Sequence, residues 1–348
     1  MRALKYKGVH DIGFLDVPVP EPGPGQVRLE VSACGVCHTD VTFRNNPEIA
    51  VEPGLTLGHE IAGVVESLGP EVSSISLGTE VVVHTIWSCG RCRQCLRGRE
   101  NACLSTASRL TPPQGPGTRY DGGMAKYVVV PAASALPTRG LAPEFASVLP
   151  DAATVPYHAV DSNRHLLVDG ASVLVIGAGG LGQFAVSILR ATTEARVVVV
   201  DVRESALDAV RSQVFAVLNS NAASIADRVV EIASGHGPDL VLDFVGTDST
   251  LQLAGSVVAP YGTVWVPGQS GGTFTLDTDR ATTAVPRGAA IVSRPYGGTR
   301  NNLADVIALA ADGLITIPIT TYPFENALAA FDDLDAGRVV GRAVLTMN

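Results

Sequence analysis

The chain has 348 residues, a length typical of about two domains. Hydrophobic residues make up 46% and charged residues 17%, so a large apolar core is possible and the composition is not that of a disordered protein. The net charge of −9 argues against a general nucleic-acid or anionic-membrane binder. Neither a long apolar run nor the apolar region of a signal peptide is visible, so we expect a soluble, cytoplasmic protein with no membrane span.

The amino-terminal part alternates short strand patterns, such as residues 27–31 and 61–66, with turns rich in proline and glycine. Cys37 and His59 lie in this part. One thiolate and one imidazole are half of a catalytic zinc site, which needs a third protein ligand and keeps one position open. A buried cysteine and a hydrogen-bonded histidine are the alternative interpretation of the same two residues.

Four cysteines then follow within fifteen residues in the spacing C-x2-C-x2-C-x7-C; they are Cys89, Cys92, Cys95 and Cys103. Four thiolates so close in sequence can surround one tetrahedral Zn²⁺ and leave no open position, which is typical of a structural site. Four neighbouring arginines could offset the negative charge of such a site: Arg91, Arg93, Arg97 and Arg99. A disulfide or redox cluster is the alternative, but it needs an oxidising compartment. An iron–sulfur cluster is a weaker alternative, because the spacing does not match the cysteine runs of ferredoxins.

From residue 169 onward the pattern is that of a βαβ unit. An apolar run at 172–176 predicts a buried parallel strand, and a G-x-G-x-x-G loop and a helix pattern follow it. Such a loop lets the backbone approach the pyrophosphate of a dinucleotide at the helix N-terminus. We assign the following loop residues to cofactor binding: Gly177, Gly179, Gly180, Leu181 and Gly182.

A second strand pattern at 196–200 ends at Asp201, which lies 24 residues after Gly177. An acid at this place accepts hydrogen bonds from the adenosine ribose, and its charge would repel a 2′-phosphate. The sequence therefore favours NAD over NADP. Arg203, two residues further on, could tolerate the phosphate and keeps NADP as the alternative.

Taken in order, these motifs resemble the zinc-dependent medium-chain alcohol dehydrogenases over essentially the whole chain. The resemblance rests on the tracts 35–40 and 58–60, the four cysteines and the glycine-rich loop. It implies an α/β protein that combines a mostly-β, GroES-like catalytic domain with a Rossmann cofactor domain built on a doubly wound parallel sheet. The expected bounds are 1–151 and 294–348 for the catalytic domain, and 152–293 for the dinucleotide-binding domain.

The resemblance implies a role for each residue of the first two tracts. Cys37 and His59 would be ligands of the catalytic zinc, and Thr39 would take the proton of the substrate hydroxyl. Asp40 would hold the imidazole of His59 in one tautomer. Glu60 would lie just behind the metal.

The third zinc ligand is a cysteine in many relatives, and here Asp151 stands at the corresponding place, as in a bacterial secondary-alcohol branch of the family. A carboxylate should hold zinc less tightly than a thiolate. A helix N-cap is the alternative role of Asp151. Cys34 does not fall on a ligand position and is interpreted as a buried apolar residue. Some relatives end the proton relay at a histidine where this chain has Thr42, so the relay must finish elsewhere.

Cofactor contacts outside the loop are implied for His38, Val245, Val266, Gly268 and Arg342. His38 and Arg342 would reach the phosphates, and the other three would border the nicotinamide. A solvated surface position is the alternative for the two cations. The candidate walls of the substrate pocket are Phe43, Trp87 and Tyr296, each with core packing as the alternative.

The implied protein is an NAD-dependent alcohol dehydrogenase or ketone reductase with two Zn²⁺ per chain, one catalytic and one structural. Zinc would lower the pKa of the substrate hydroxyl, and hydride would pass to the nicotinamide. The aspartate ligand, the apolar walls and the family branch favour secondary or aromatic alcohols and the corresponding ketones as substrates. Polyols, primary alcohols or aldehydes are the alternative on the same fold, and a non-catalytic dinucleotide-binding protein is a remote one. The family also implies a homodimer or homotetramer.

Overall fold

The computed structural model describes residues 1–49, 51–277, 279 and 285–347. The chain divides into two compact units. The first comprises Met1–Thr154, Gly297–Gly313 and Pro318–Asn348, and the second comprises Val155–Tyr296 and Leu314–Ile317.

The strands are β1 (Arg2–Gly8), β2 (Asp11–Asp16), β3 (Gln26–Val36), β4 (Glu60–Leu68), β5 (Glu80–Val83), β6 (Tyr127–Pro131), β7 (Ala135–Pro137), β8 (Ser172–Ile176), β9 (Arg196–Asp201), β10 (Ala216–Asn219), β11 (Leu240–Asp243), β12 (Thr263–Val266), β13 (Ala290–Ser293), β14 (Ile319–Pro323) and β15 (Arg342–Thr346). The α-helices are α1 (His38–Asn45), α2 (Pro143–Val148), α3 (Thr154–Ser162), α4 (Gly180–Thr192), α5 (Glu204–Val210), α6 (Ile225–Ile232), α7 (Asp248–Val257), α8 (Arg300–Ala311) and α9 (Ala327–Asp335). A π-helix, Leu149–Ala153, joins α2 to α3.

The first unit is built on a mixed sheet in the order β14-β15-β3-β4-β5-β7, with β6 also paired to β3. The long strand β3 is central, and its apolar side chains, among them Val27, Leu29 and Val31, alternate into the core. It runs antiparallel to both β4 and β15. The end of β3 therefore meets the first residues of β4 and β15, and this is the place where the functional residues gather.

The second unit contains a six-stranded parallel sheet in the order β10-β9-β8-β11-β12-β13. Counted from β8, this is the order 3-2-1-4-5-6 of a doubly wound dinucleotide-binding sheet. All five residues of β8 are buried, as expected for a strand covered on both faces. The predicted α/β fold class with a Rossmann-type sheet is confirmed.

None of the helices in the described residues is long and apolar enough to cross a membrane.

Candidate metal and cofactor sites

The four cysteines Cys89, Cys92, Cys95 and Cys103 come together in one cluster. The sulfur of Cys92 lies 3.5 Å from that of Cys95 and 4.0 Å from that of Cys103. Four sulfurs at tetrahedral positions about 2.3 Å from zinc are separated by about 3.8 Å. The spacing therefore fits one Zn²⁺, and all four cysteines are free of disulfides.

Local backbone groups support the charge of these sulfurs. The N–H of Cys92 donates to Sγ of Cys89 at 3.3 Å, and the N–H of Leu104 donates to Sγ of Cys92 at 3.4 Å. Hydrogen bonds, first from Ser105 and then from Arg91, lower the pKa of Cys89 to about 6. Thiolates are the form that binds zinc, so these contacts favour metal binding at Cys89. Burial, followed by hydrogen bonds to Cys92 and Cys103, raises the pKa of Cys95 to about 12, so its thiolate needs the metal itself.

A second cluster brings together one ligand atom each from Cys37, His59, Glu60 and Asp151, all within 4.8 Å of one another. Sγ of Cys37 lies 3.4 Å from Oδ2 of Asp151, and Nε2 of His59 lies 3.6 Å from the same oxygen. A thiolate, an imidazole and a carboxylate are the donors of an open catalytic zinc site. The structure thus brings the three predicted ligands together, although Cys37 and Asp151 lie 114 residues apart in the sequence.

The local structure explains how each donor reaches this place. Cys37 follows the end of β3 and caps α1, while His59 precedes β4, which pairs with β3. Asp151 lies inside the π-helix, whose N-cap is Val148, so the N-cap alternative for Asp151 does not hold. A π-helix widens the helical turn and is often found at functional sites.

Asp40 is fully buried and connects the two halves of the cluster. One of its oxygens accepts the N–H of Cys37 at 3.0 Å and the other accepts the N–H of Gly58 at 3.3 Å. The second oxygen also lies 3.7 Å from Nδ1 of His59. This arrangement turns Nε2 of the ring towards Asp151.

The buried charges of the cluster shift each other's pKa values. Burial alone would lower the pKa of His59, but the charge of Asp40 and hydrogen bonds to Asp151 and Cys37 raise it well above its ordinary value. Burial alone would raise the pKa of Asp151, but the hydrogen bond and charge of His59 hold it at about 2. A divalent cation would neutralise such a donor set, so the residues present fit zinc.

Glu60 and Arg342 form a buried ion pair beside the cluster. Burial raises the pKa of Glu60 to about 7, while the charge of Arg342 opposes this rise. Glu60 lies opposite Gly35 in the pairing of β3 with β4, and a Cβ at Gly35 would lie 2.0 Å from Oε2 of Glu60. The glycine is therefore needed for the ion pair, a requirement that the sequence pattern did not reveal.

The remaining predicted residues of this tract have clear positions. Thr39 is partly exposed, and its Oγ1 lies 3.7 Å from Sγ of Cys37. His38 is exposed, and its carbonyl accepts the hydroxyl of Thr42 at 2.7 Å. Cys34 is buried, and burial raises the pKa of its thiol well above the ordinary value.

The glycine-rich loop follows β8 and opens α4. Gly177 has φ +92°, a backbone conformation that favours glycine. A Cβ at Gly182 would lie 1.9 Å from the carbonyl oxygen of Gly177, so this position requires glycine as well. A Cβ at Gly179, in contrast, would meet no atom within 4 Å. The space in front of Gly179 is the open side of the loop, where a pyrophosphate can approach the helix N-terminus. Gly180 and Leu181, the first residues of α4, are partly exposed beside it.

Asp201 ends β9, and its carboxylate supports the loop from behind. One oxygen accepts the N–H of Ala178 at 2.7 Å, and the other accepts the N–H of Arg203 at 2.8 Å. The guanidinium of Arg203 lies 3.5 Å from the same carboxylate and is 44% exposed. The acid and the arginine weighed for the choice between NAD and NADP thus lie together.

The loops after β11 and β12 are interlocked. The N–H of Ser270 donates to the carbonyl of Val245 at 3.2 Å, and a Cβ at Gly268 would lie 2.3 Å from the carbonyl carbon of Val245. Val266, the last residue of β12, is buried. Sequence reasoning missed Asp243, a fully buried acid whose Oδ1 accepts the N–H groups of Val245 and Gly246 at 2.9 and 3.0 Å. The sequence feature that could have indicated Asp243 is its position at the end of an apolar strand pattern.

The three candidate wall residues have different environments. Phe43 is buried in the apolar core of the first unit, which agrees with core packing, the alternative to its role as a pocket wall. Trp87 is partly buried and stacks on Tyr120 with ring centroids 4.8 Å apart. Tyr296 is 38% exposed and belongs to the second unit.

Comparison with known proteins identifies the family. Residues 23–140 match the alcohol dehydrogenase GroES-like domain, and residues 216–345 match the zinc-binding dehydrogenase domain. An NAD-dependent alcohol dehydrogenase of Sulfurisphaera tokodaii is 33% identical over 358 residues, with 99% of each chain covered. The chain belongs to the zinc-dependent medium-chain alcohol dehydrogenases. The predicted family is confirmed, and with it a zinc- and NAD-dependent alcohol dehydrogenase or ketone reductase.

Solved structures of this family agree over the full length. The alcohol dehydrogenase of Aeropyrum pernix has a TM-score of 0.89 at 26% identity and covers 99% of this chain and 100% of its own. The acetophenone reductase of Geotrichum candidum, solved with NAD, has a TM-score of 0.84 at 29% identity and covers 99% of this chain and 96% of its own.

Proposed function

We propose that this alcohol dehydrogenase interconverts secondary alcohols and ketones, aromatic ones included, with NAD as hydride carrier. The cluster of Cys37, His59 and Asp151 carries the proposal, because its carboxylate stands where many relatives have a thiolate. Because Glu60 pairs with Arg342, we assign three protein ligands to the zinc and leave its fourth position to the substrate oxygen. The similarity to an acetophenone reductase supports an aromatic ketone as one substrate.

We assign the catalytic zinc to Cys37, His59 and Asp151, and the structural zinc to the four-cysteine cluster. When bound, zinc supplies the Lewis acid that lowers the pKa of the substrate hydroxyl, and NAD accepts the hydride. The hydroxyl of Thr39, at the partly exposed side of Cys37, takes the substrate proton and passes it outward. Thr42 cannot end this relay because its side chain has no group that titrates near neutral pH.

Other residues act by orientation. Asp40 fixes the tautomer and direction of His59 through the contact at Nδ1. Glu60 and Arg342 keep their charges paired behind the cluster. We retain the proposed contact of Arg342 and of His38 with the cofactor phosphates, and the proposed walls Trp87 and Tyr296, as parts of this hypothesis. Phe43 is left out of the pocket because it packs in the apolar core.

We assign cofactor binding to the loop 177–182, to Asp201 and Arg203, and to Val245, Val266 and Gly268. Residues 152–293 would be the dinucleotide-binding domain, and residues 1–151 and 294–348 the catalytic domain. We further propose a cytoplasmic homodimer or homotetramer of the bacterial secondary-alcohol branch.

A kinetic panel tests the substrate class. The zinc-loaded protein is mixed with NAD or NADP and with matched secondary, primary, polyol and aromatic alcohols, and the absorbance of the reduced nicotinamide is followed. We expect the highest kcat/KM for secondary alcohols and for NAD. A preference for polyols or primary alcohols would refute the substrate class, and equal use of both dinucleotides would refute the charge argument for Asp201.

A further inference from the structure

Residues 297–300 of the first unit are held by polar side chains from two directions. Nδ2 of Asn101 donates to the carbonyl of Gly297 at 2.8 Å, and the carboxylate of Glu100 accepts the N–H of Arg300 at 2.5 Å. His84, which directly follows strand β5, is buried, and its Nε2 lies 3.0 Å from the carbonyl of Gly298. The segment is thus held at three of its four residues and cannot shift without breaking these contacts.

Two of these ties come from the four-cysteine lobe, by which we mean residues 89–103. Glu100 and Asn101 form a short 3₁₀ turn that leads directly into Cys103, and the N–H of Cys103 donates to the carbonyl of Glu100 at 3.0 Å. Asn101 is only 4% exposed. Because Cys103 is one of the four sulfur donors, metal in the lobe fixes the turn, and the turn fixes residues 297–300.

The other side of the segment touches the helix that carries Asp151. A Cβ at Gly298 would lie 2.2 Å from Cγ2 of Thr154, so backbone and side chain are in close contact there. Thr154 is fully buried, directly follows the π-helix and donates its hydroxyl to the carbonyl of Leu149 at 2.7 Å. A displacement of Gly298 would therefore be passed to the π-helix and to the carboxylate of Asp151.

We propose that Asn101 is a positioning residue that links the four-cysteine lobe, through Gly297 and Gly298, to the π-helix presenting Asp151. The four-cysteine lobe then does more than stabilise its own segment, because the rigidity of the lobe sets how firmly the catalytic zinc is bound. This inference rests on the proposed role of Asp151 as a zinc ligand.

The test measures zinc release from the fully loaded protein to a chromogenic chelator. Wild type should release its two ions in separate phases, and Asp151→Ala identifies the catalytic phase because that phase is missing. In Asn101→Asp, which keeps the side-chain shape but removes the donor to Gly297, the catalytic phase should be about threefold to tenfold faster. The matched control is Thr106→Val, which removes a hydrogen bond to the carbonyl of Trp87 instead. It should leave the catalytic phase unchanged.

Two outcomes overturn the link. Either the catalytic phase of Asn101→Asp equals that of wild type, or both phases accelerate by the same factor, as general loosening would produce. If Asn101→Asp does not fold with two ions, Glu100→Ala, which removes the acceptor for the N–H of Arg300, is judged by the same criteria. If Asp151→Ala retains both phases, the proposed ligand role fails by itself, independently of Asn101.

Discussion

The two metal clusters of this alcohol dehydrogenase are assembled in opposite ways. The four-cysteine lobe takes all its donors from fifteen consecutive residues, and backbone N–H groups of the same segment support the sulfurs. The second cluster takes Cys37, His59 and Asp151 from three separate places and surrounds them with buried charges. The first is local, and the second depends on the sheet that brings its parts together.

This difference indicates which effect a substitution should have at each cluster. A local closed site needs little beyond its own turns and its metal. In the second cluster the donors come from separate elements, and Oδ1 of Asp40 lies 3.7 Å from Nδ1 of His59. Mixed donors also hold zinc less strongly than four thiolates. Substitutions should therefore affect turnover at the second cluster and stability at the first.

The largest effect is expected for Asp151→Ala. Loss of this carboxylate should remove the catalytic zinc and leave one zinc per chain in the lobe. Because a Lewis acid contributes several kcal/mol to the transition state, turnover should fall by about a thousandfold or more. Elemental analysis with steady-state kinetics measures both, and Asp161→Ala at an exposed ion pair is the control. Two zinc ions in the variant would remove Asp151 from the ligand set.

Thr39→Ala should keep both zinc ions and still lose about a hundredfold in turnover, because no hydroxyl remains to take the substrate proton. Thr39→Ser restores a hydroxyl and should recover most of the activity. Kinetics with metal analysis of the two variants is the measurement. Unchanged turnover of the alanine variant would exclude the relay role.

The glycine-rich loop is a third site, local like the lobe, and a pair of substitutions separates its two functions. Gly179→Ala adds a methyl group in open space, so the melting temperature should hold while the Kd for NADH, measured by fluorescence, rises about tenfold. Gly182→Ala places a methyl group 1.9 Å from the carbonyl of Gly177 and should lower the melting temperature instead. The same response in both variants would contradict this division.

The smallest effect on turnover is expected for Cys92→Ser. The lobe should lose its zinc and the protein should melt at a lower temperature, because metal binding stabilises the folded lobe. Turnover at 25 °C should change by less than about fivefold, since the catalytic ion stays in place and is only less firmly held. Thermal unfolding and kinetics on the same sample check this. A loss as large as that of Asp151→Ala would abolish the distinction between the clusters.

Sequence patterns were most informative where interacting residues are neighbours in the chain. The spacing of the four cysteines and the loop between β8 and α4 were both readable, because turns and thiolate spacing are local properties. Residue pairs that are brought together by the sheet could not be predicted in this way. Nothing in the sequence indicates that Glu60 pairs with Arg342, that Gly35 makes room for them, or that Asn101 reaches Gly297.

The sequence by itself determined the chemistry available to this protein: four clustered thiolates, a thiolate and an imidazole with an aspartate at the ligand place, and a dinucleotide loop. Only the tertiary structure decided the environment of these groups. Asp151 became a neighbour of Cys37 through a π-helix, and Glu60 acquired a pKa of about 7 because burial removes water from its carboxylate. Distances across a sheet and the loss of water around a side chain depend on how segments far apart in the chain pack together. The spacing of residues in the sequence therefore does not reveal them.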